Sequence, residues 1–211
     1  ALAEIIEGEI GVEQDSQIAE HFNLLKGTAA STFGLLENLL YWSRSRRNQL
    51  EVICRSVTAF TVCDASLEDV RAQAYQKDVT LDLAVDDHDE MVTDESVLRT
   101  ILRNLLSNAI KYTERGGEVG VRASGNSEAE CVEFRVTDTG VGMNDNRVSR
   151  FFSSGELESH EGTEREPGTG FGLYLVRELT QRLGGTIDVI SEIGVGTQVT
   201  IVVPRFGPRC S

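Results

Sequence analysis

Three short segments of this 211-residue chain combine residue types that can bind a nucleotide. Residues 104–112 are rich in amides with one lysine, residues 138–142 place an aspartate before two glycines, and residues 168–173 form a glycine run. The first segment offers amide oxygens and a cation, the second a carboxylate beside a tight turn, and the third free backbone N–H groups. In this order they indicate a nucleotide pocket, although each is a weak signal alone.

The amide-rich segment carries its polar side chains on one face of a predicted helix, residues 94–112. Asn104, Asn108 and Lys111 follow one another at i, i+4 and i+7, a spacing that places them on the same face. Asparagine oxygens are suitable ligands for Mg²⁺, and a lysine can reach a phosphate as a point charge. An ordinary solvated helix face is the alternative interpretation of this stripe.

The aspartate segment comes directly after an apolar predicted strand. Asp138 can accept a hydrogen bond there from an exocyclic amine, such as that of adenine, and Gly140 and Gly142 let the backbone approach a flat ring. Thr197 follows another glycine turn, residues 194–196, and would support Asp138 at the base. An ordinary Asp-Gly turn is the alternative interpretation.

The glycine run opens a predicted helix at residues 170–183, and it reads Gly168, Thr169, Gly170, Phe171, Gly172, Leu173. Backbone N–H groups at a helix start suit a polyphosphate. The stretch before it, residues 144–169, is rich in Ser, Glu and Gly. It predicts a long mobile loop, or lid, with one short helix at residues 146–152.

Apolar spacing predicts a mixed α and β domain from residue 50 onward. Residues 50–62 favour a short strand or loop. Further helices are expected at 66–77, 94–112 and 170–183, and strands at 79–85, 118–123, 131–137, 186–191 and 197–203. Because several strands follow one another as hairpins, we expect a mixed sheet with helices stacked on one face.

The first 49 residues form a separate predicted unit, a helical hairpin. Its second helix, residues 16–47, carries two apolar stripes that together are wider than one helix partner can cover. This favours a homodimer in which two hairpins form a four-helix bundle, and a helix packed only on its own domain is the alternative. We therefore divide the chain into residues 1–49 and 50–211.

Composition argues against several classes of partner. The formal net charge of −14 repels phosphate backbones, so we expect no nucleic-acid partner. No apolar run is long enough to cross a bilayer, so we expect no membrane contact by this chain and a cytoplasmic location, with a membrane anchor in a longer parent left open. The four cysteines, Cys54, Cys63, Cys131 and Cys210, show no CxxC spacing, which favours reduced structural thiols.

The joint pattern resembles the ATP-binding domain of sensor histidine kinases, within the superfamily shared by DNA gyrase, the ninety-kilodalton heat-shock chaperone and the MutL repair protein. Residues 104–112 resemble the N box of that family. Residues 138–142 resemble its first glycine box, 168–173 its second and 194–197 its third. Residues 151–152 resemble its F box. The resemblance covers about residues 50–204, and helix 16–47 is similar to the second helix of the dimerisation and phosphotransfer domain. It implies an α+β fold, a helical hairpin followed by a two-layer α/β sandwich with a mixed sheet.

The resemblance also implies ATP and Mg²⁺ as cofactors and a role for each matched residue. Asn108 would hold Mg²⁺, Asn104 and Lys111 would bind the phosphates and act in catalysis, and Tyr112 would lie near the nucleoside. The residues around the adenine would be Asp138, Gly140, Gly142 and Thr197, and residues 168–173 would close over the phosphates. The implied activity is transfer of the γ-phosphate to a histidine, for relay to a response regulator protein.

Position 104 separates the branches of this superfamily. Gyrase-type and chaperone-type ATPases carry a glutamate there, which acts as general base on water. The amide of Asn104 cannot accept a proton at neutral pH, so phosphoryl transfer to a protein group is favoured over hydrolysis. Two alternatives stay open: a non-catalytic nucleotide- or partner-binding signalling module of the same fold, and a serine-directed kinase of the superfamily.

The acceptor motif of histidine kinases, a histidine beside an acidic residue with a proline nearby, has no counterpart in the sequence. His21 lacks the proline, and His88 lies in an acidic loop. His160 lies in the predicted lid between the glycine boxes, where contact with the phosphates is the less favoured interpretation. We expect the acceptor histidine to lie on a helix before residue 1. The chain itself is therefore expected to bind ATP without phosphorylating itself on histidine.

Overall fold

The computed structural model describes residues 53–85, 90–126, 130–153, 162–164 and 171–207. The chain divides into two compact units, Ala1–Tyr41 and Trp42–Ser211, and all described residues belong to the second. The predicted hairpin of residues 1–49, with its dimerisation helix, lies outside the described residues and stays a prediction. Among the helices that are described, none combines the length and the apolar character needed to cross a membrane.

A five-stranded mixed sheet forms the centre of the described unit. Its strands are β2 (Thr80–Val85), β4 (Glu118–Asn126), β5 (Cys131–Asp138), β6 (Thr186–Glu192) and β7 (Gly196–Pro204), in the order β2-β4-β5-β7-β6. Strand β2 runs parallel to β4, and the other neighbours are antiparallel. A separate antiparallel pair joins β1 (Arg55–Thr58) to β3 (Glu90–Thr93).

The helices of the described unit are α1 (Ala59–Gln76), α2 (Glu95–Tyr112), α3 (Asp145–Ser153) and α4 (Phe171–Arg182). Helix α2 lies between α1 and α4, and all three contact strands of the sheet. Alternate residues of the central strands are buried, as expected when one face is covered: Val119, Val121, Ala123, Val132, Phe134, Val136, Val199, Ile201 and Val203. The predicted mixed sheet with helices on one face is therefore confirmed.

Helix α2 shows why the site faces away from the core. It begins after Asp94, whose Oδ1 accepts a hydrogen bond from the N–H of Val97 at 3.1 Å, a helix N-cap. One face is apolar and buried: Val97, Leu98, Ile101, Leu102, Leu105, Leu106, Ala109 and Ile110. The predicted site residues of this helix are only half-buried, because they lie beside that face rather than in it.

The structure corrects the sequence analysis at the start of the unit. Helix α1 begins at Ala59, seven residues before the predicted start, so residues 59–62 are neither strand nor loop. The Oγ1 of Thr58 accepts a hydrogen bond from the N–H of Thr61 at 3.1 Å and caps the helix there. Strand β3 was not predicted. The remaining helices and strands match the predicted ones to within a few residues at their ends.

The cysteines give a second correction. Cys63 and Cys131 are free thiols, as expected, whereas Cys54 is disulfide-bonded. Cys210 lies outside the described residues. The expectation of reduced cysteines throughout is wrong at Cys54, because a disulfide depends on spatial proximity that isolated cysteines in a sequence do not reveal.

Candidate functional site

Asp138 ends strand β5 with one carboxylate oxygen held by the backbone. Its Oδ1 accepts hydrogen bonds from the N–H of Gly140 at 2.9 Å and from the N–H of Thr197 at 3.1 Å. Burial raises the pKa of this carboxyl, and the two N–H donors offset part of that rise. The other oxygen, Oδ2, has no hydrogen-bond partner within the described part of the chain. Asp138 therefore presents a fixed acceptor to a ligand.

A row of polar side chains supports Asp138 across three strands. Asp138 lies opposite Thr197 on β7, and Thr197 lies opposite Ser191 on β6. The hydroxyls of Ser191 and Thr197 are 2.9 Å apart, and the N–H of Met143 donates to Ser191 Oγ at 2.8 Å. Thr197 was predicted at this place, whereas Ser191 was missed. A symmetric hairpin about Gly194 would have paired it with Thr197.

Two glycines of the aspartate segment are required by close approaches of backbone to backbone. A Cβ on Gly140 would overlap the carbonyl oxygen of Tyr112, and a Cβ on Gly142 would overlap that of Glu192. Gly142 also has a φ of +66°, which favours glycine. Between them, the N–H of Val141 donates to the carbonyl of Tyr112 at 3.1 Å. The turn after Asp138 is thus fixed between the end of α2 and the β6–β7 turn.

The asparagines of α2 face the first turn of α4. A Cβ on Gly172 would lie 3.2 Å from Asn104 Oδ1 and 3.6 Å from Asn108 Nδ2. The Nδ2 of Asn104 donates to the carbonyl of Thr100 at 2.7 Å, which leaves its Oδ1 directed towards Gly172. The start of α4 and two amides of α2 therefore share one small space, in which any side chain at position 172 would meet the amides.

The end of α2 carries a cation and an aromatic ring side by side. Lys111 Nζ lies 5.1 Å from the centroid of the Tyr112 ring. Arg147, which the sequence analysis did not single out, places its Cζ 5.6 Å from the same centroid. The buried Lys77 donates from Nζ to the carbonyl of Lys111 at 2.6 Å and so holds the last turn of the helix.

Part of the predicted lid is fastened to this helix end. The N–H of Thr163 donates to the carbonyl of Lys111 at 3.2 Å, and the hydroxyl of Thr163 donates to the carbonyl of Thr113 at 3.1 Å. Glu164 forms an ion pair with Arg115 at 2.6 Å. The contacts described at residues 163 and 164 are thus polar. The mobility expected of residues 144–169 stays a prediction.

All three predicted segments meet on α2 where the structure describes them. The turn after Asp138 abuts Tyr112, and Gly172 abuts Asn104 and Asn108. Leu173 follows in the same first turn of α4 and is half-buried. Three other predicted site residues, Gly168, Thr169 and Gly170, lie outside the described residues, as do the three histidines, His21, His88 and His160, and nothing is described of the Phe171 side chain.

The chain is similar in sequence to known histidine kinases. The family described as "Histidine kinase-, DNA gyrase B-, and HSP90-like ATPase" matches residues 93–206, which include every described segment of the site. Hybrid signal transduction histidine kinase B of Dictyostelium discoideum is 27% identical over 195 residues. Histidine protein kinase DivJ of Caulobacter vibrioides is 31% identical over 187 residues.

These similarities cover most of this chain but a minor part of the relatives. The alignments span 90% and 88% of this chain, but only 10% of the Dictyostelium protein and 31% of DivJ. Among solved structures, full-length ShkA in complex with AMPPNP superimposes with a TM-score of 0.69 at 29% identity. That match covers 81% of this chain and 35% of ShkA.

Proposed function

Because the chain belongs to the family of histidine kinase-, DNA gyrase B- and HSP90-like ATPases, we propose that it is the ATP-binding catalytic part of a sensor histidine kinase. The names of its relatives support the kinase branch of that family. The proposed reaction passes the γ-phosphate of ATP to a histidine, from which it is relayed to a response regulator in two-component signal transduction.

The observation that carries this proposal is the carboxylate of Asp138. Two backbone donors fix Oδ1, so Oδ2 is held in one direction without a protein partner in the described residues. An acceptor of this kind suits the exocyclic amine of adenine, and it disfavours a guanine, which presents a carbonyl at that position. The row formed by Thr197 and Ser191 would keep the acceptor in place.

The α2 residues fit the other end of the nucleotide. Asn108 would hold Mg²⁺ through its amide oxygen, and Asn104 and Lys111 would bind phosphate oxygens. The absence of a side chain at Gly172 keeps this space open, and backbone N–H groups at a helix start suit a phosphate. The glycine run of residues 168–172 would complete the phosphate site. When bound, Mg²⁺ would neutralise charge on the phosphates, and it would share them with Lys111.

The amide at position 104 favours transfer to a protein over hydrolysis. Asn104 donates to Thr100 and directs its oxygen towards Gly172, where it can orient a ligand but cannot take a proton from water. Asn104 and Lys111 would thus act by positioning and charge neutralisation. The competing proposal, a nucleotide-binding module without transfer activity, predicts binding with an unchanged γ-phosphate.

The wider organisation is proposed from the sequence and the family resemblance rather than from the described residues. Residues 1–49 would belong to a dimerisation and phosphotransfer hairpin, and residues 50–211 would be the catalytic domain. Helix 16–47 would make the protein a homodimer, and a response regulator would be its partner. A cytoplasmic location is part of the same proposal.

Calorimetric titration with Mg²⁺–ATP tests the proposed site through Asp138. Asp138→Asn replaces one acceptor oxygen by an NH₂ group, so the loss of a hydrogen bond to a charged group should lower affinity about tenfold to hundredfold. Asp188→Asn is the matched control, because Asp188 is exposed on β6. Equal affinity in the Asp138 variant and the control would refute this assignment of the adenine site.

A further inference from the structure

Arg147 is the one cation of α3 whose surroundings the structure describes, and it lies over a ring of the proposed nucleotide site. Its backbone N–H donates to Asn144 Oδ1 at 2.9 Å, which places it in the first turn of the helix. From there the guanidinium carbon lies 5.6 Å from the Tyr112 ring centroid. Lys111 Nζ lies 5.1 Å from the same centroid. Two helices thus bring one cation each to a single aromatic ring.

The placement of Arg147 on α3 favours an anionic ligand beside it. Two like charges near one ring repel each other, and a cation in the first turn of a helix opposes the helix dipole. Within the described residues, Arg147 forms no ion pair with a carboxylate. The chain as a whole is strongly acidic, with a net charge of −14, so two cations near one ring stand out against that background. An anionic ligand beside Arg147 would offset this unfavourable placement of a cation.

Arginine has the chemistry for a polyphosphate at this position. Its guanidinium is planar and can stay against an aromatic ring while its N–H groups form paired hydrogen bonds to phosphate oxygens. Its neighbour Lys111 belongs to the helix that carries the proposed phosphate ligands Asn104 and Asn108. The polyphosphate of the nucleotide is therefore the anion that this site would meet.

We propose that Arg147 is a further nucleotide-binding residue, which contacts the polyphosphate from α3 beside the Tyr112 ring that Lys111 also approaches. The inference rests on the proposed function, because it takes the ligand to be ATP. It adds a phosphate contact outside the three sequence segments, and it makes α3 part of the binding site. The nucleotide would then join α3 to α2 through its phosphates.

The test compares ligands that differ only in phosphate. Affinities for ATP, ADP and adenosine are measured by NMR titration of the wild type, Arg147→Met, Arg147→Lys and the control Arg122→Met, where Arg122 is exposed on β4. Arg147→Met should weaken ATP and ADP about tenfold to hundredfold, the loss expected for a charge-assisted hydrogen bond. It should leave adenosine within about twofold, since RT ln 2 is well under 1 kcal/mol. Arg147→Lys should restore part of the ATP affinity.

Three results are distinguishable from this expectation. Equal weakening of ATP and adenosine would show that Arg147 only holds the Tyr112 ring, and it would overturn the inference. Unchanged ATP binding in Arg147→Met would overturn it as well, while leaving the proposed function intact. A wild-type chain that binds none of the three ligands would refute the proposed function, and the inference with it. Urea unfolding midpoints of all variants check that each remains folded.

Discussion

Gly142 and Gly116 form a matched pair that tests whether the turn after Asp138 is fixed as described. Both have a positive φ, +66° and +78°, so alanine is strained at either position. They differ in their surroundings, because a Cβ on Gly116 meets nothing within 4 Å, whereas a Cβ on Gly142 would overlap the carbonyl oxygen of Glu192. The difference between the two alanine variants therefore isolates the packing of this turn against the β6–β7 turn.

The expected magnitudes follow from these two contributions. Gly116→Ala should lower the free energy of unfolding by about 1–2 kcal/mol, the cost of the left-handed backbone for a residue with a Cβ. Gly142→Ala should add the overpacking term of about 1–3 kcal/mol, because the Glu192 backbone must move. A total loss of about 2–5 kcal/mol is a large share of a typical domain stability of about 5–15 kcal/mol.

Urea unfolding at equilibrium measures both losses, with an unchanged m-value as evidence that unfolding remains comparable. The Gly142 variant should also bind Mg²⁺–ATP more weakly, since the neighbouring bonds from Val141 to Tyr112 and from Met143 to Ser191 depend on the same turn. The Gly116 variant should bind ATP like the wild type. Equal destabilisation by the two substitutions would refute the described packing of Gly142.

Three further predictions use other features of the unit. Because burial raises the pKa of Asp138, its contribution to stability is fully present below its unfolded pKa of about 4 and is lost as pH rises through the folded pKa. Urea unfolding should therefore find Asp138→Asn less destabilising at neutral pH than below pH ~4. A difference in unfolding free energy between variant and wild type that stays constant with pH would contradict this. Burial raises the pKa of Cys63 to about 12, so iodoacetamide followed by mass spectrometry should label Cys131 well before Cys63 in the folded protein; equal rates would contradict the burial. Thr163→Val removes a hydroxyl donor to the end of α2, so amide hydrogen exchange in residues 162–164 should speed up. In the wild type, ATP should slow amide exchange across residues 144–169. Unchanged exchange in both experiments would exclude a ligand-sensitive lid.

The parts of the fold that the sequence predicts are those with a strong local signal. Helix α2 combines an N-cap at Asp94, a continuous apolar face and a polar stripe, so its bounds and its orientation follow from spacing alone. Strands β5 and β7 alternate buried and half-buried residues along their length, as their sequences indicate. The start of α1 was missed because Val57, Phe60 and Val62 favour a strand locally, while the cap at Thr58 and burial against α2 favour a helix.

The site shows the same division between local and distant information. Asp138 and the asparagines of α2 are recognisable because their motifs are contiguous in sequence. Arg147 and the Cys54 disulfide are not, because each depends on a partner that only the folded chain brings near. Gly142 was predicted as a residue that lets the backbone approach a ligand. In the structure the close approach is to Glu192, a contact between residues fifty positions apart that spacing could not reveal.

The fate of the γ-phosphate tests the central claim most directly. The natural polypeptide that carries this chain is incubated with Mg²⁺ and ATP labelled at the γ-phosphate, and the protein-bound label is examined for stability in acid and base. The proposed function predicts a label on protein that is lost in acid and retained in base, as a phosphohistidine is, and that disappears in Asn108→Ala. Release of inorganic phosphate without protein labelling would identify an ATPase, and bound but intact ATP would identify a nucleotide-binding module. Either result would contradict a histidine kinase.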